Sequence, residues 1–73
     1  MGHNLTKREM SIFHLVQSRL TNKEIGSQLN ISERTAKFHV SNILSKLRVE
    51  NRIDLILMQY QTPLDIWRMN NVS

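Results

Sequence analysis

Residues 21–47, TNKEIGSQLNISERTAKFHVSNILSKL, decide the fold of this chain of 73 residues. In the second half of the stretch, at about 100° per residue, the apolar side chains share one sector of a helix roughly 100° wide. They are Ala36, Val40, Ile43, Leu44 and Leu47. An apolar pair four positions apart, Ile25 and Leu29, indicates a shorter helix before it. The stretch therefore predicts two helices joined by a tight turn, the second covering about residues 33–47.

The side of this second helix that lies away from its apolar stripe is polar and partly basic. Its outward sector, again about 100° wide, holds Arg34, Lys37, Phe38, Ser41 and Ser45. The remaining flank holds Thr35, His39, Asn42 and Lys46. A helix of about 15 residues is about 22 Å long, and the major groove of DNA, about 12 Å wide, admits a helix. We interpret the stretch as a helix-turn-helix whose second helix faces double-stranded DNA.

Polar caps predict where four helices begin, which makes the chain an all-α domain. Thr6 and Thr21 each precede a glutamate by three positions and form capping boxes, and Ser32 and Asn51 are favoured caps. Asn30 tolerates the left-handed conformation that ends helices. The expected helices cover about residues 7–18, 22–29 and 33–47, and 52 to a point before 63.

The fourth helix carries more apolar surface than one core contact needs. We expect its core stripe to consist of Ile53, Ile56, Leu57 and Tyr60. Leu55 and Met58 then point elsewhere, where a partner chain would cover them. The alternative, that they are merely scattered exposed apolar residues, stays open at this stage.

Length and composition exclude several classes of function. A chain of 73 residues forms one small domain without a deep active-site cavity, and its net charge of +4 favours polyanionic partners. The chain has no cysteine, and His3, His14 and His39 show no metal-ligand spacing. Ser32, His39 and Asp54 show neither the spacing nor the motif of a catalytic triad. We expect no cofactor, no metal and no enzymatic activity, and no apolar run approaches the roughly 18 residues of a membrane span.

The domain proper is expected to cover residues 5–61. Residues 1–4 are interpreted as a disordered start or a cloning remnant. Residues 62–73 form a C-terminal tail that contains Trp67, the single tryptophan. Within that tail, residues 64–70 either form a short fifth helical turn or fray as chain ends often do.

Short motifs occur in order along the chain. They are Leu5-Thr6-x-Arg8-Glu9, Asn22-Lys23-Glu24-Ile25, Ile31-Ser32-Glu33-x-Thr35-x-Lys37-x-His39, Ile43-x-x-Lys46-Leu47 and Asn51-Arg52. With this pattern, the chain resembles the LuxR-type DNA-binding domains found at the C-termini of quorum-sensing regulators and of NarL/FixJ-type response regulators. The resemblance extends without gaps to about Tyr60 and implies a four-helix helix-turn-helix domain with the third helix in the major groove.

The resemblance also implies roles for individual residues. Base-contacting positions correspond to Lys37, Phe38 and Ser41, and the helical wheel adds Arg34 to them. Positions near the DNA backbone correspond to Thr21, Asn22, Lys23, Ser32, Thr35, His39 and Lys46. The fourth helix often serves as the dimer contact in this family, and we expect Leu55, Met58 and Asp54 to form it here.

Four residues depart from the family pattern. Gly26 stands where alanine is usual and Ala36 where valine is usual. Together they suggest a less tightly packed motif, unless the glycine permits a closer approach of the helices. Arg19 and Arg48 replace glycines that usually follow the first and third helices. A left-handed residue at either position costs roughly 1 to 2 kcal/mol, so either the turns differ or the strain is tolerated.

Together these observations predict a bacterial transcription regulator that binds double-stranded DNA sequence-specifically, in the cytoplasm and associated with the nucleoid. We expect a homodimer, with a heterodimer with another regulator and contact with RNA polymerase as further candidates. A protein-binding adaptor with the same fold is the alternative, since Phe38 suits either a thymine methyl group or a protein surface.

Overall fold

A computed structural model describes residues 4–59, and this part of the chain contains four helices and no strand. The helices are α1 (Lys7–Gln17), α2 (Asn22–Leu29), α3 (Glu33–Leu47) and α4 (Arg52–Leu57). The predicted all-α class is confirmed, as are both helices of the helix-turn-helix. The fourth helix ends at Leu57, before residue 63 as predicted. Tyr60 and the predicted helical turn at 64–70 lie outside the described residues.

Each helix begins at the cap that the sequence predicts. Thr6 and Thr21 form complete capping boxes: the backbone N–H of Thr21 donates to Glu24 Oε1 at 2.7 Å, and the hydroxyl of Thr21 accepts from the N–H of Glu24 at 3.1 Å. The side chains of Ser32 and Asn51 accept backbone N–H groups in the same way at α3 and α4. These bonds satisfy amides that a helix start leaves without a partner.

Three helix ends share one geometry, with a left-handed residue directly before an apolar one. The residues are Arg19, Asn30 and Arg48, with φ of 69°, 58° and 58°. After Arg19, the N–H of Leu20 donates to the carbonyl of Leu15 at 3.2 Å, which is the Schellman arrangement. The left-handed conformation predicted for Asn30 is confirmed. At Arg19 and Arg48 the usual turn is kept, and an arginine adopts the backbone that glycine tolerates better.

Gly26 lies where the turn between α2 and α3 packs directly against α2. A Cβ placed on this residue would lie 2.6 Å from the carbonyl oxygen of Ile31, closer than atoms pack. The N–H of Ile31 in turn donates to the carbonyl of Gly26 at 2.9 Å. Gly26 therefore permits a close approach, the exception to a looser motif that the sequence left open, because the turn occupies the space that a side chain would need.

The core draws residues from all four helices. The buried apolar side chains are Ile12, Val16, Ile25, Ala36, Val40, Ile43 and Leu55. Helix α1 contacts each of the other three helices, and α3 also contacts α2 and α4. Within the part of the chain described, no helix is both long and apolar enough to cross a membrane.

Helix α4 faces the core differently from the prediction. Leu55 is fully buried, whereas Ile53 is 60% exposed and Met58 is 46% exposed. The prediction that Leu55 points outward is therefore wrong, and Ile53 does not belong to the core stripe. The helix has six residues, RIDLIL, of which four are apolar. Such a short and nearly uniform segment does not define a face by periodicity.

Candidate nucleic-acid interface

One face of α3 is exposed along most of its length. Arg34, Lys37, Phe38 and Ser41 are all exposed, and Phe38 retains 62% of its accessible surface. Because Ala36, Val40 and Ile43 on the same helix lie in the core, the orientation of α3 is fixed by packing. The structure thus brings together the four residues predicted to contact bases and leaves their side chains in solvent.

His39 lies beside Phe38 at the edge of this face. Its ring is half-buried, and it meets the Phe38 ring edge-on with centroids 5.8 Å apart and an interplanar angle of 63°. This contact favours one orientation of the exposed phenyl ring. Among the described residues, no cluster of three or more histidine, cysteine, aspartate or glutamate side chains could hold a metal ion.

The start of α3 presents two hydroxyl groups. Ser32 accepts the backbone N–H of Thr35 at 2.9 Å, and its own hydroxyl donates to Thr35 Oγ1 at 2.9 Å. In that arrangement the hydroxyl proton of Thr35 is available to an outside acceptor. Both residues are exposed, so the positions predicted to lie near the DNA backbone are accessible here.

The start of α2 combines a cation with free amides. Thr21 and Lys23 are exposed, and Asn22 is half-buried. The Arg52 guanidinium donates to Asn22 Oδ1 and to the carbonyl of Leu20, both at 2.5 Å. Burial of the guanidinium lowers the pKa of Arg52 from its ordinary value. The sequence motif contained Arg52, but its spatial partners lie about thirty positions away and were missed.

Lys46 forms an ion pair with a buried carboxylate. Its ammonium lies 2.7 Å from Glu9 Oε1, and this carboxylate is buried on α1 with 4% of its surface exposed. The hydrogen bond from Lys46, followed by the one from the Thr6 N–H, lowers the pKa of Glu9 below its ordinary value. The ammonium of Lys46 thus balances a buried charge, while 38% of its side chain is exposed, and the predicted contact of Lys46 with the DNA backbone stays a prediction. The role of Glu9 beyond helix capping was missed.

A helix-turn-helix with a solvated, basic second helix defines the class of DNA-binding domains of transcription regulators. The chain belongs to the family described as bacterial regulatory proteins, luxR family, which it matches over residues 3–59. It is 44% identical over 57 residues to the nitrate/nitrite response regulator protein NarP of Escherichia coli. It is 46% identical over 57 residues to the response regulator protein VraR of Staphylococcus aureus.

The similarity concerns one part of these relatives. Each match covers 78% of this chain, but 26% of NarP and 27% of VraR. The chain thus spans about a quarter of the length of the curated relatives it matches. No solved structure matches the chain.

Proposed function

We propose that this domain binds double-stranded DNA sequence-specifically with α3 in the major groove. The observation that supports the proposal best is the division of α3 between a buried apolar stripe and an exposed face of Arg34, Lys37, Phe38 and Ser41. A helix of 15 residues is long enough to follow the groove, and packing prevents it from turning this face inward. The net charge of +4 agrees with a polyanionic partner.

The side chains of the exposed face suit three kinds of contact with base pairs. The ammonium of Lys37 and the guanidinium of Arg34 donate to guanine O6 and N7. The Phe38 ring contacts the methyl group of thymine, and the hydroxyl of Ser41 donates to or accepts from any base. The proposed readout therefore combines guanine and thymine within one half-site.

Residues at the starts of α2 and α3 are proposed to hold the DNA backbone. Thr21, Asn22 and Lys23 surround the first amides of α2, where the helix dipole favours an anion. Ser32, Thr35 and His39 lie at the start and flank of α3. Lys46 completes this set, because an ammonium has three donors and its bond to Glu9 leaves 38% of the side chain exposed.

We further propose that α4 mediates a dimer on two half-sites about one helical turn of DNA apart. Ile53 and Met58 are the exposed apolar residues of this region, and Asp54 is half-buried beside them. Leu55 was expected to take part in this contact but is fully buried, so we assign Ile53 to the contact in its place. The partner is a second copy or another regulator of the same family, and the DNA-bound protein would lie with the nucleoid in the cytoplasm.

Selection of bound sequences from a random DNA pool tests this proposal. We expect enrichment of one sequence, arranged as two related half-sites. Lys37→Ala should then weaken binding to the selected site by about 1 to 3 kcal/mol while leaving a scrambled site almost unaffected. Lys23→Ala, the matched control for a phosphate contact, should weaken binding to both sites alike. A pool that shows no enrichment, or equal effects of the two variants, would contradict the proposal.

A protein-binding adaptor is the second candidate function. Phe38 and Ile53 are 62% and 60% exposed, and exposed aromatic and aliphatic residues are also typical of protein interfaces. Such an adaptor, with RNA polymerase or another regulator as its partner, would not bind DNA. A gel shift with random DNA at low salt separates the two functions, because electrostatic binding is strongest there.

A further inference from the structure

The guanidinium of Arg52 spans two helices of the domain. Arg52 is the first residue of α4, and its Nη1 and Nη2 atoms donate to Asn22 Oδ1 and to the Leu20 carbonyl, both at 2.5 Å. Asn22 opens α2, and Leu20 precedes its cap. Arg52 thus links the helix proposed for the dimer contact to the helix end proposed for a phosphate contact.

This contact decides which way the side-chain amide of Asn22 points. A guanidinium carries only N–H donors, so the atom of Asn22 that faces Arg52 must be the oxygen. The amide nitrogen, with its two donors, then faces away from Arg52. The side-chain carbonyl, which would repel a phosphate, is occupied inside the protein.

The backbone N–H groups at the start of α2 are further hydrogen-bond donors near Asn22. The N–H of Glu24 is bound by the Thr21 hydroxyl at 3.1 Å, and the N–H of Ile25 by the Thr21 carbonyl at 2.8 Å. The amides of Asn22 and Lys23 are the first two of the helix and have no intrahelical acceptor. The start of α2 therefore carries several further donors, namely the backbone N–H groups of Asn22 and Lys23, the Asn22 amide nitrogen and the Lys23 ammonium.

We propose that Arg52 is a positioning residue for DNA binding, which orients the Asn22 amide so that its nitrogen donates to a backbone phosphate. The inference rests on the proposed function and extends it to a residue on α4 that does not itself touch DNA in this role. It also gives α4 a direct connection to the DNA-binding surface. Any displacement of α4 that moves Arg52 also releases Asn22.

A double-mutant cycle of Arg52→Met and Asn22→Ala tests the proposal. Dissociation constants for the selected DNA site would be measured by fluorescence anisotropy, at a temperature where circular dichroism shows each variant to be folded. We expect each single variant to bind about three- to tenfold more weakly, and the double variant to bind no more weakly than the weaker single one. Effects that multiply in the double variant would overturn the proposal.

Two further variants test whether the positive charge of Arg52 alone explains its effect on DNA binding. Arg52→Lys keeps the charge but has one nitrogen where two acceptors must be reached, so we expect it to bind as weakly as Arg52→Met; full affinity would overturn the positioning role. Arg8→Met removes a charge from an exposed residue of α1, and its effect should multiply with that of Asn22→Ala.

Asn22→Asp tests the orientation of the Asn22 side chain while Arg52 stays in place, which serves if Arg52→Met does not fold. The carboxylate accepts from Arg52 as the amide does, so the melting temperature should be unchanged or higher, but an oxygen now faces the phosphate. We expect at least tenfold weaker binding, against a smaller loss for Gln28→Glu at an exposed position of the same helix. Equal losses would overturn the proposal, whereas a wild-type domain that binds no DNA would refute the proposed function itself.

Discussion

Helices α3 and α4 are fixed in the molecule by different means. Helix α3 has 15 residues and buries Ala36, Val40 and Ile43 along one side. Helix α4 has six residues and one fully buried side chain, Leu55. Arg52 supplements it with bonds to Asn22 of α2 and to the Leu20 carbonyl before that helix, and Gln17 Nε2 donates to the Leu55 carbonyl at 3.2 Å. Many contacts thus fix the position of α3, whereas only a few fix the position of α4.

This difference predicts where a single substitution does most harm. Leu55→Ala should lower the free energy of unfolding by about 2 to 5 kcal/mol, because a fully buried leucine leaves a cavity. For a domain this small, such a loss approaches its whole stability. Urea denaturation followed by circular dichroism measures the change. Met58→Ala, at a half-exposed position of the same region, is the control. If both variants lower the free energy of unfolding only slightly, Leu55 is not the residue that holds α4 on the core.

The ion pair between Glu9 and Lys46 should have the next largest effect, since it joins α1 to α3. Lys46→Met should lower the free energy of unfolding at neutral pH by about 1 to 3 kcal/mol, because it leaves a buried carboxylate with one partner fewer. Lys7→Met, at an exposed position of α1, should change stability little. Equal urea midpoints for the two variants would argue against the ion pair.

The same pair predicts the direction of a pH effect. The pKa of Glu9 is lowered in the folded protein from its ordinary value of 4.5, so the unfolded chain takes up this proton first as the pH falls. The pair's stabilisation is then present above pH 4.5 and is lost below it, as the pH falls through the folded-state pKa. Urea midpoints at neutral pH and near pH 3 should therefore differ more in the wild type than in Lys46→Met. An equal difference would exclude Glu9 as a source of the acid sensitivity.

Arg48 offers a gain in stability instead of a loss. It adopts a left-handed backbone with φ of 58° at the end of α3, which glycine tolerates without steric cost. Arg48→Gly should raise the free energy of unfolding by about 1 kcal/mol. Asn30→Gly, at the same φ, should raise it less, since asparagine tolerates this region. A loss of stability in Arg48→Gly would show that the arginine side chain outweighs the strain.

Substitutions on the exposed face of α3 should hardly change the stability of the domain, and Phe38 is the residue that tests this. Phe38→Ala should change the free energy of unfolding by less than about 0.5 kcal/mol. Replacing the thymine proposed to contact Phe38 by deoxyuridine removes one methyl group and should weaken wild-type binding about three- to fourfold, or about 0.8 kcal/mol. Phe38→Ala should not respond to that replacement. An equal response of both proteins would remove Phe38 from base recognition.

The contrast between the two helices also explains what could be predicted from the sequence. Helices α2 and α3 were predictable because caps such as Thr21 and Ser32 act within three or four positions, and α3 is long enough for its periodicity to define a face. Helix α4 is too short for that, so Leu55 was placed on the wrong side. The contacts of Glu9 with Lys46 and of Arg52 with Asn22 span 37 and 30 positions and depend on the packing of complete helices.

Methylation interference on the selected DNA site tests most directly whether α3 reads bases in the major groove. We predict that methylation of guanine N7, in the major groove, blocks binding of the wild-type domain, and that methylation of adenine N3, in the minor groove, does not. Lys37→Ala should lose the sensitivity at one guanine and keep it elsewhere. Interference confined to adenine N3, or a Lys37→Ala pattern identical to that of the wild type, would contradict the assignment of α3 as the recognition helix.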